Sequence, residues 1–152
     1  MPSRVKWNAR AVEAQVKRGL RRNMAEACMR LRRDVVRSLG IPGPRKGNLL
    51  ARPSAPGEPP HKRTGNLRRS ITHEVALDGL SGKVGSFGAK GVVYAAPLEL
   101  GTRHMAARPY LRPALDRMKG ELAKILSRPI QGGVHTSTLG LGELGEAAGA
   151  GT

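Results

Sequence analysis

The chain has 152 residues, of which 27 are Lys or Arg and 11 are Asp or Glu, giving a net charge of +16. Aromatic residues make up only 3%, and 20 Gly with 11 Pro interrupt the sequence, which excludes a large aromatic core and puts much of the chain outside regular structure. The lone Cys28 excludes an intramolecular disulfide framework and a Cys-based zinc cluster. No apolar run reaches the roughly 20 residues of a membrane span, and no apolar signal-like stretch opens the chain, so synthesis in the cytoplasm is expected.

From Val5 to Leu39 apolar residues recur every three or four positions, at 5, 9, 12, 16, 20, 24, 27, 31, 35 and 39. That spacing is one stripe of an α-helix, expected over residues 5–40, with Gly40 and Pro42 as the stop and Arg37 suited to the negative end of the helix dipole. Such a helix would run to roughly 50 Å, longer than the diameter of about 34 Å expected for a compact domain of that size. It is therefore expected to overhang its own domain and to offer its apolar stripe to another subunit. Positive charge concentrates on the same segment. Residues 1–40 carry 11 basic and 3 acidic groups, and residues 41–70 carry 7 and 1, whereas residues 129–152 carry no basic group and 2 acidic ones. Arg18, Arg21, Arg22, Arg32 and Arg33 lie outside the stripe, where they could meet phosphates or acidic partner surfaces. No sequence-reading motif accompanies them, so any nucleic-acid contact would be to the backbone.

Residues 41–63 are proline-rich and read as an extended loop, excluding helix and central strand. Three strand-like stretches follow, Ser70–Leu77, Gly82–Phe87 and Val92–Ala96, separated by turn chemistry at Asp78-Gly79 and Gly88–Gly91; an antiparallel meander within residues 70–98 is expected. Leu111, Leu115, Met118, Leu122, Ile125 and Leu126 make a second helical stripe over 109–127, with Pro109 and Pro113 at its first turn. Two helices around a small meander make an α+β domain over residues 1–128. Residues 129–152 form a Gly-rich arm, on which Leu139, Leu141 and Leu144 are expected to dock.

Enzymatic constellations are thin. His61, His73, His104 and His135 lie in separate segments without metal-ligand spacing, and Cys28 falls close to the apolar stripe, as a packed residue would. Glu99 near Arg103 and Arg108 reads as a structural ion pair. No P-loop, dinucleotide fingerprint or nucleophile elbow is present. No catalytic, cofactor-binding or metal-binding residue is assigned, and no enzymatic activity is expected.

Three segments, PHKRTGNLRRSI at 60–71, YAAPLELGT at 94–102 and MAARPYLRPAL at 105–115, carry a pattern of order and spacing. It resembles the neck, or tail-completion, proteins of long-tailed bacteriophages, also described as minor tail or head–tail joining proteins, across about residues 8 to 127. The matched positions are Thr64, Gly65, Leu67, Ser70, Ile71, Tyr94, Ala95, Leu98, Glu99, Gly101, Thr102, Ala107, Arg108, Pro109, Tyr110 and Leu111. The resemblance implies a virion structural protein that forms a homo-oligomeric ring, with six copies as the expected number, joining connector to tail around the DNA channel. Its partners would be head-closure and tail proteins, with backbone contact to packaged DNA and no membrane. A tail-terminator ring and a sequence-independent nucleic-acid-binding protein are the alternatives. Within the pattern, Thr64-Gly65 turns the chain, Gly101-Thr102 makes a sharp exit, and Arg108-Pro109-Tyr110 sets the entry into the last helix, with Tyr110 and Leu111 as packing anchors.

Overall fold

The computed structural model describes residues 9–46, 49–50 and 54–130. Residues 5–8 of the expected first helix, and the leucines of the expected C-terminal arm, lie outside the described residues. The architecture is α+β: a long helix α1 (Ala9–Ser38), paired short strands β1 (Arg45–Lys46) and β2 (Leu49–Leu50), a single-turn helix α2 (Asn66–Ser70), a hairpin of β3 (Ile71–Val75) and β4 (Gly82–Ser86), a short helix α3 (Ala95–Leu100), and α4 (Leu111–Leu126).

Thirty residues of α1 span about 45 Å. Its stripe is buried only in the C-terminal two-thirds. The first buried residue is Gly19, after which Asn23, Ala27, Cys28 and Val35 face inward. Residues 9–18 meet solvent on nearly every side, and Val16 remains 40% exposed. Among the described residues, the N-terminal third of the helix is thus left largely exposed. It closes where Gly40 donates its N–H to the Arg37 carbonyl at 3.0 Å and the Ser38 hydroxyl to the Val35 carbonyl at 2.8 Å.

Helix α4 runs antiparallel to α1. Ion pairs mark the direction: Arg128 to Glu26 at 2.8 Å, Arg30 to Glu121, and Arg117 to Asp34 at 2.7 Å. Exposed pairs of this kind are screened by solvent, so they set register more than stability. The stability lies beneath them, in Ala27, Leu122 and Ile125 with the half-buried Leu31 and Met118. A larger cluster, Val35, Leu39, Leu67, Ile71, Ala95, Tyr110 and Ala114, joins the C-terminal end of α1 to α2, β3, α3 and α4.

The hairpin pairs Ile71 with Ser86 through to Val75 with Gly82, and the Asp78-Gly79 turn closes it, with the Asp78 carboxylate accepting the Leu80 N–H at 2.9 Å. Its first strand starts one residue later than Ser70, which ends α2, and stops at Val75, leaving Leu77 82% exposed. Arg32 clamps the hairpin to α1 by donating Nε–H to the Ile71 carbonyl at 2.9 Å.

The expected meander is corrected to this two-stranded hairpin. Residues 92–96 form no third strand: Val92–Tyr94 lead directly into α3. Ala95-Ala96 favour helix, Pro97 falls in the first turn where its missing N–H costs nothing, and Gly101 at φ 78° terminates it. The proline-rich loop holds one small ladder, with Arg45 opposite Leu50 and Lys46 opposite Leu49. Helix α4 begins at Leu111 rather than at Pro109, which leaves Pro113 in the first turn.

The two ends of the α1 stripe should therefore respond differently to the same truncation. Val35→Ala, at a position 0% exposed, is expected to cost about 1.5 kcal/mol or more, and Val16→Ala less than about 0.5 kcal/mol, measured by urea unfolding of the two variants.

Candidate functional site

The three segments that carry the family pattern lie far apart in sequence and converge around the start of α4. Helix α4 has Tyr110 as its N-terminal flanking residue, and no side chain there caps it locally. The cap comes instead from α3. The Glu99 carboxylate accepts the N–H groups of Tyr110 at 2.7 Å, Leu111 at 3.0 Å and Arg112 at 2.9 Å. A carboxylate at this end satisfies otherwise unpaired donors and faces the positive end of the helix dipole. This corrects the expected pairing of Glu99 with Arg103 or Arg108: the backbone occupies both oxygens, and the Arg103 Nε–H donates to His104 Nε2 at 2.6 Å.

The neighbouring matched residues hold α3 against α4. Tyr110 is 1% exposed and directs its hydroxyl to the Ala95 carbonyl at 3.4 Å. Burial, then the adjacent Glu99 carboxylate and Tyr94, push the Tyr110 phenol up to about 12. Arg108 donates its backbone N–H to the Leu98 carbonyl at 2.7 Å. Thr102 and Met105 exchange backbone hydrogen bonds at 2.8 and 3.2 Å, tightening the turn between the helices. A side chain at Gly101 would clash there, since its Cβ would stand 2.9 Å from the Ala107 nitrogen.

The first matched segment closes the other side. Gly65 takes φ 80° immediately before α2, and the Thr64 hydroxyl accepts the Asn66 N–H at 3.4 Å. Leu67 and Ile71 are both buried, the former on α2 rather than on a strand. The Ser70 hydroxyl donates to the Leu67 carbonyl at 2.8 Å and meets Ser86 Oγ at 2.8 Å, while Ser86 Oγ also accepts the Val92 N–H at 3.0 Å.

Two depressions flank this junction. One, of about 450 Å³, is lined by Thr64, Gly65, Leu67, Tyr94, Leu98 and Arg108 of the pattern together with Leu39, Ser54, Pro60, His61, Lys62, Arg63, Asn66 and Arg68. The other, a more open groove of about 930 Å³, includes Arg32, Lys62, Arg68, Arg69 and Lys90 on its walls. Among the described residues no acidic side chain lines either depression. Sequence reasoning reached six of the residues around the first pocket and missed His61, Ser54, Lys62, Arg63 and Arg68.

Arg18, Arg21, Arg22 and Arg33 are exposed on α1, and at 100° per residue they and Arg32 share an arc of about 120°. Arg32 is committed to the hairpin through its Nε and half-buried. Cys28 is buried, and burial pushes its thiol up, which opposes nucleophilic use. Among the described residues no group of His, Cys, Asp or Glu is placed to hold a metal ion, and no helix is long and apolar enough to cross a membrane. Comparison of the chain with protein-family models, curated proteins and solved structures finds no match.

Removing the carboxylate that accepts these three hydrogen bonds with Glu99→Ala is expected to destabilise the fold by about 2–3 kcal/mol, while Glu99→Gln, which keeps an acceptor but not the charge, costs about half as much; urea midpoints measure both. Tyr110 makes stability pH-dependent at the alkaline end. Below its ordinary value of 10 the phenol is neutral in both states, and between 10 and about 12 only the unfolded chain loses the proton. Stability therefore falls through this window, with a slope approaching about 1.4 kcal/mol per pH unit, and Tyr110→Phe removes that part of the slope in alkaline denaturation.

Proposed function

We propose that this chain is a non-enzymatic structural protein of a long-tailed bacteriophage particle, assembling as a ring, six-fold by expectation, at the head–tail junction. The observation that carries the reading is the unburied first third of α1: residues 9–18 extend an apolar and basic stripe beyond the domain that the rest of the helix organises. A helix of this kind gains stability by packing, and the cover that the described residues do not give this stretch would be supplied by a neighbour. Leu77 at 82%, Val93 at 96% and Leu100 at 79% exposure add apolar points on other faces, as a subunit with contacts on several sides requires. The convergence of the three matched segments into one interlocked junction supports the resemblance, because it gives their order and spacing a common structural cause. The ring would close around the DNA channel, with connector proteins on one side and tail proteins on the other; a tail-terminator ring makes the same demands on the subunit. In a ring, identical heterologous contacts close when the rotation between copies permits it.

The arginine arc on α1 favours a second reading, sequence-independent binding to nucleic-acid backbone, either alone or as the lining of the channel.

The assembly reading predicts that the full chain sediments as a closed oligomer and is located at the neck of purified particles. Val12→Lys with Val16→Lys shifts it to monomer and leaves the urea midpoint of the dilute, unassociated chain unchanged. Monomers at all concentrations, absence from particles, and tight DNA binding that weakens steeply with salt would together replace this reading with the second.

A further inference from the structure

Among the described residues, three buried side-chain atoms have no hydrogen-bond partner: Ser54 Oγ, His61 Nδ1 and Arg108 Nε. All three belong to residues lining the 450 Å³ pocket beside the α3–α4 junction. Ser54 is 3% exposed, so its hydroxyl has little access to bulk water. Each such orphan costs about 1–3 kcal/mol when left unpaired, and the three residues that carry them all line one cavity, which points to a ligand that could complete them.

The chemistry of the orphans defines that ligand. Arg Nε–H can only donate, a serine hydroxyl can donate, and an imidazole Nδ1 donates in one tautomer or when protonated. An acceptor-only carboxylate satisfies all three. Lys62, Arg63 and Arg68 stand around it with no acid among the lining residues, so the field also favours an anion. The remaining wall is apolar, made by Leu39, Leu67, Leu98, Pro60 and the Tyr94 ring. A phosphodiester would meet the cations but leave this wall against water. A carboxylate flanked by aliphatic side chains covers both.

We propose that this pocket receives residues 139–146 of the chain's own C-terminal arm, LGLGELGE, with a glutamate on Arg108, His61 and Ser54 and leucines on the apolar wall. Within a chain of net charge +16, residues 129–152 hold Glu143 and Glu146 and no Lys or Arg, so the arm complements the pocket in charge. Reach agrees with the assignment. The Ile130 side chain covers Gly19, where an added Cβ would overlap it, and this fixes the point of departure of the arm on α1. Leu39 of the pocket lies twenty positions further along, about 30 Å away at the helical rise. Nine extended residues cover about the same distance, which brings Leu139 to the pocket as the first arm leucine that can arrive from the same chain. The arm of a second copy meets the same chemistry.

The test places a photo-crosslinking amino acid in the full-length chain at position 66, an exposed site on the pocket rim, and separately at the exposed position 63. Crosslinked peptides are then identified by mass spectrometry. Crosslinks from both positions to residues 139–146, within one chain or between two, are expected. Glu143→Gln with Glu146→Gln should lower their yield about fivefold or more, while Glu74→Gln with Asp116→Asn leaves it unchanged. Crosslinks confined to other segments, no crosslinks at all, or a yield indifferent to the Glu143 and Glu146 changes would overturn the assignment. So would loss of the crosslinks on adding short duplex DNA at the same concentration in the Glu143→Gln, Glu146→Gln variant as in the parent, which would make the pocket a phosphate site.

Discussion

A single long helix bears the whole structure. The hairpin, α3 and α4 pack along the C-terminal two-thirds of α1, and both apolar clusters include its residues: Val35 and Leu39 in one, Ala27 in the other. Because aromatics are scarce, these clusters rest on small aliphatic side chains, and Tyr110 is the one large ring buried among the described residues. A core built along one rod stabilises only the part of the rod it touches. The remainder of α1 keeps its stripe largely exposed among the described residues, and the proposed second subunit would cover it.

The junction of α3 with α4 is the second constraint, and it gives the family-like pattern a physical meaning. Glu99 caps α4, Tyr110 returns to Ala95, Gly101 admits the Ala107 backbone, and Arg108 ties back to Leu98. Each contact joins residues on the two sides of one short turn, so the segments must keep their order and spacing to fold at all. The same junction forms the wall of the pocket with three unpartnered polar atoms. The scaffold of the junction and one wall of the pocket are thus made from the same residues.

Periodicity made both principal helices and their apolar faces legible in the sequence, since a step of three or four residues sustained over many turns admits no other regular structure. The expected overhang of α1 followed from length alone. Residues 92–96 were misread because Val92, Val93 and Tyr94 favour a strand, whereas the helix-forming Ala95-Ala96-Pro97 and the stop at Gly101 decide the segment. The partner of Glu99 could not be read from charge: its acceptor role is toward main-chain N–H groups 11 to 13 residues onward, and those carry no sequence signature. Nor could the pocket, whose Ser54, His61 and Arg108 come from segments that meet only in three dimensions. The basic residues were visible as a count, but their division between the exposed arc of α1, the ion-pair ladder with α4 and the groove beside α2 depended on packing.

The dependence of α1 on a neighbour is tested most directly by amide hydrogen exchange along that helix, followed from high dilution to the concentration at which the chain associates. The account predicts that amides of residues 27–39 are protected at every concentration, whereas those of residues 9–18 exchange rapidly in the dilute chain and gain protection together with association. Equal protection along the entire helix in a dilute monomer would contradict it.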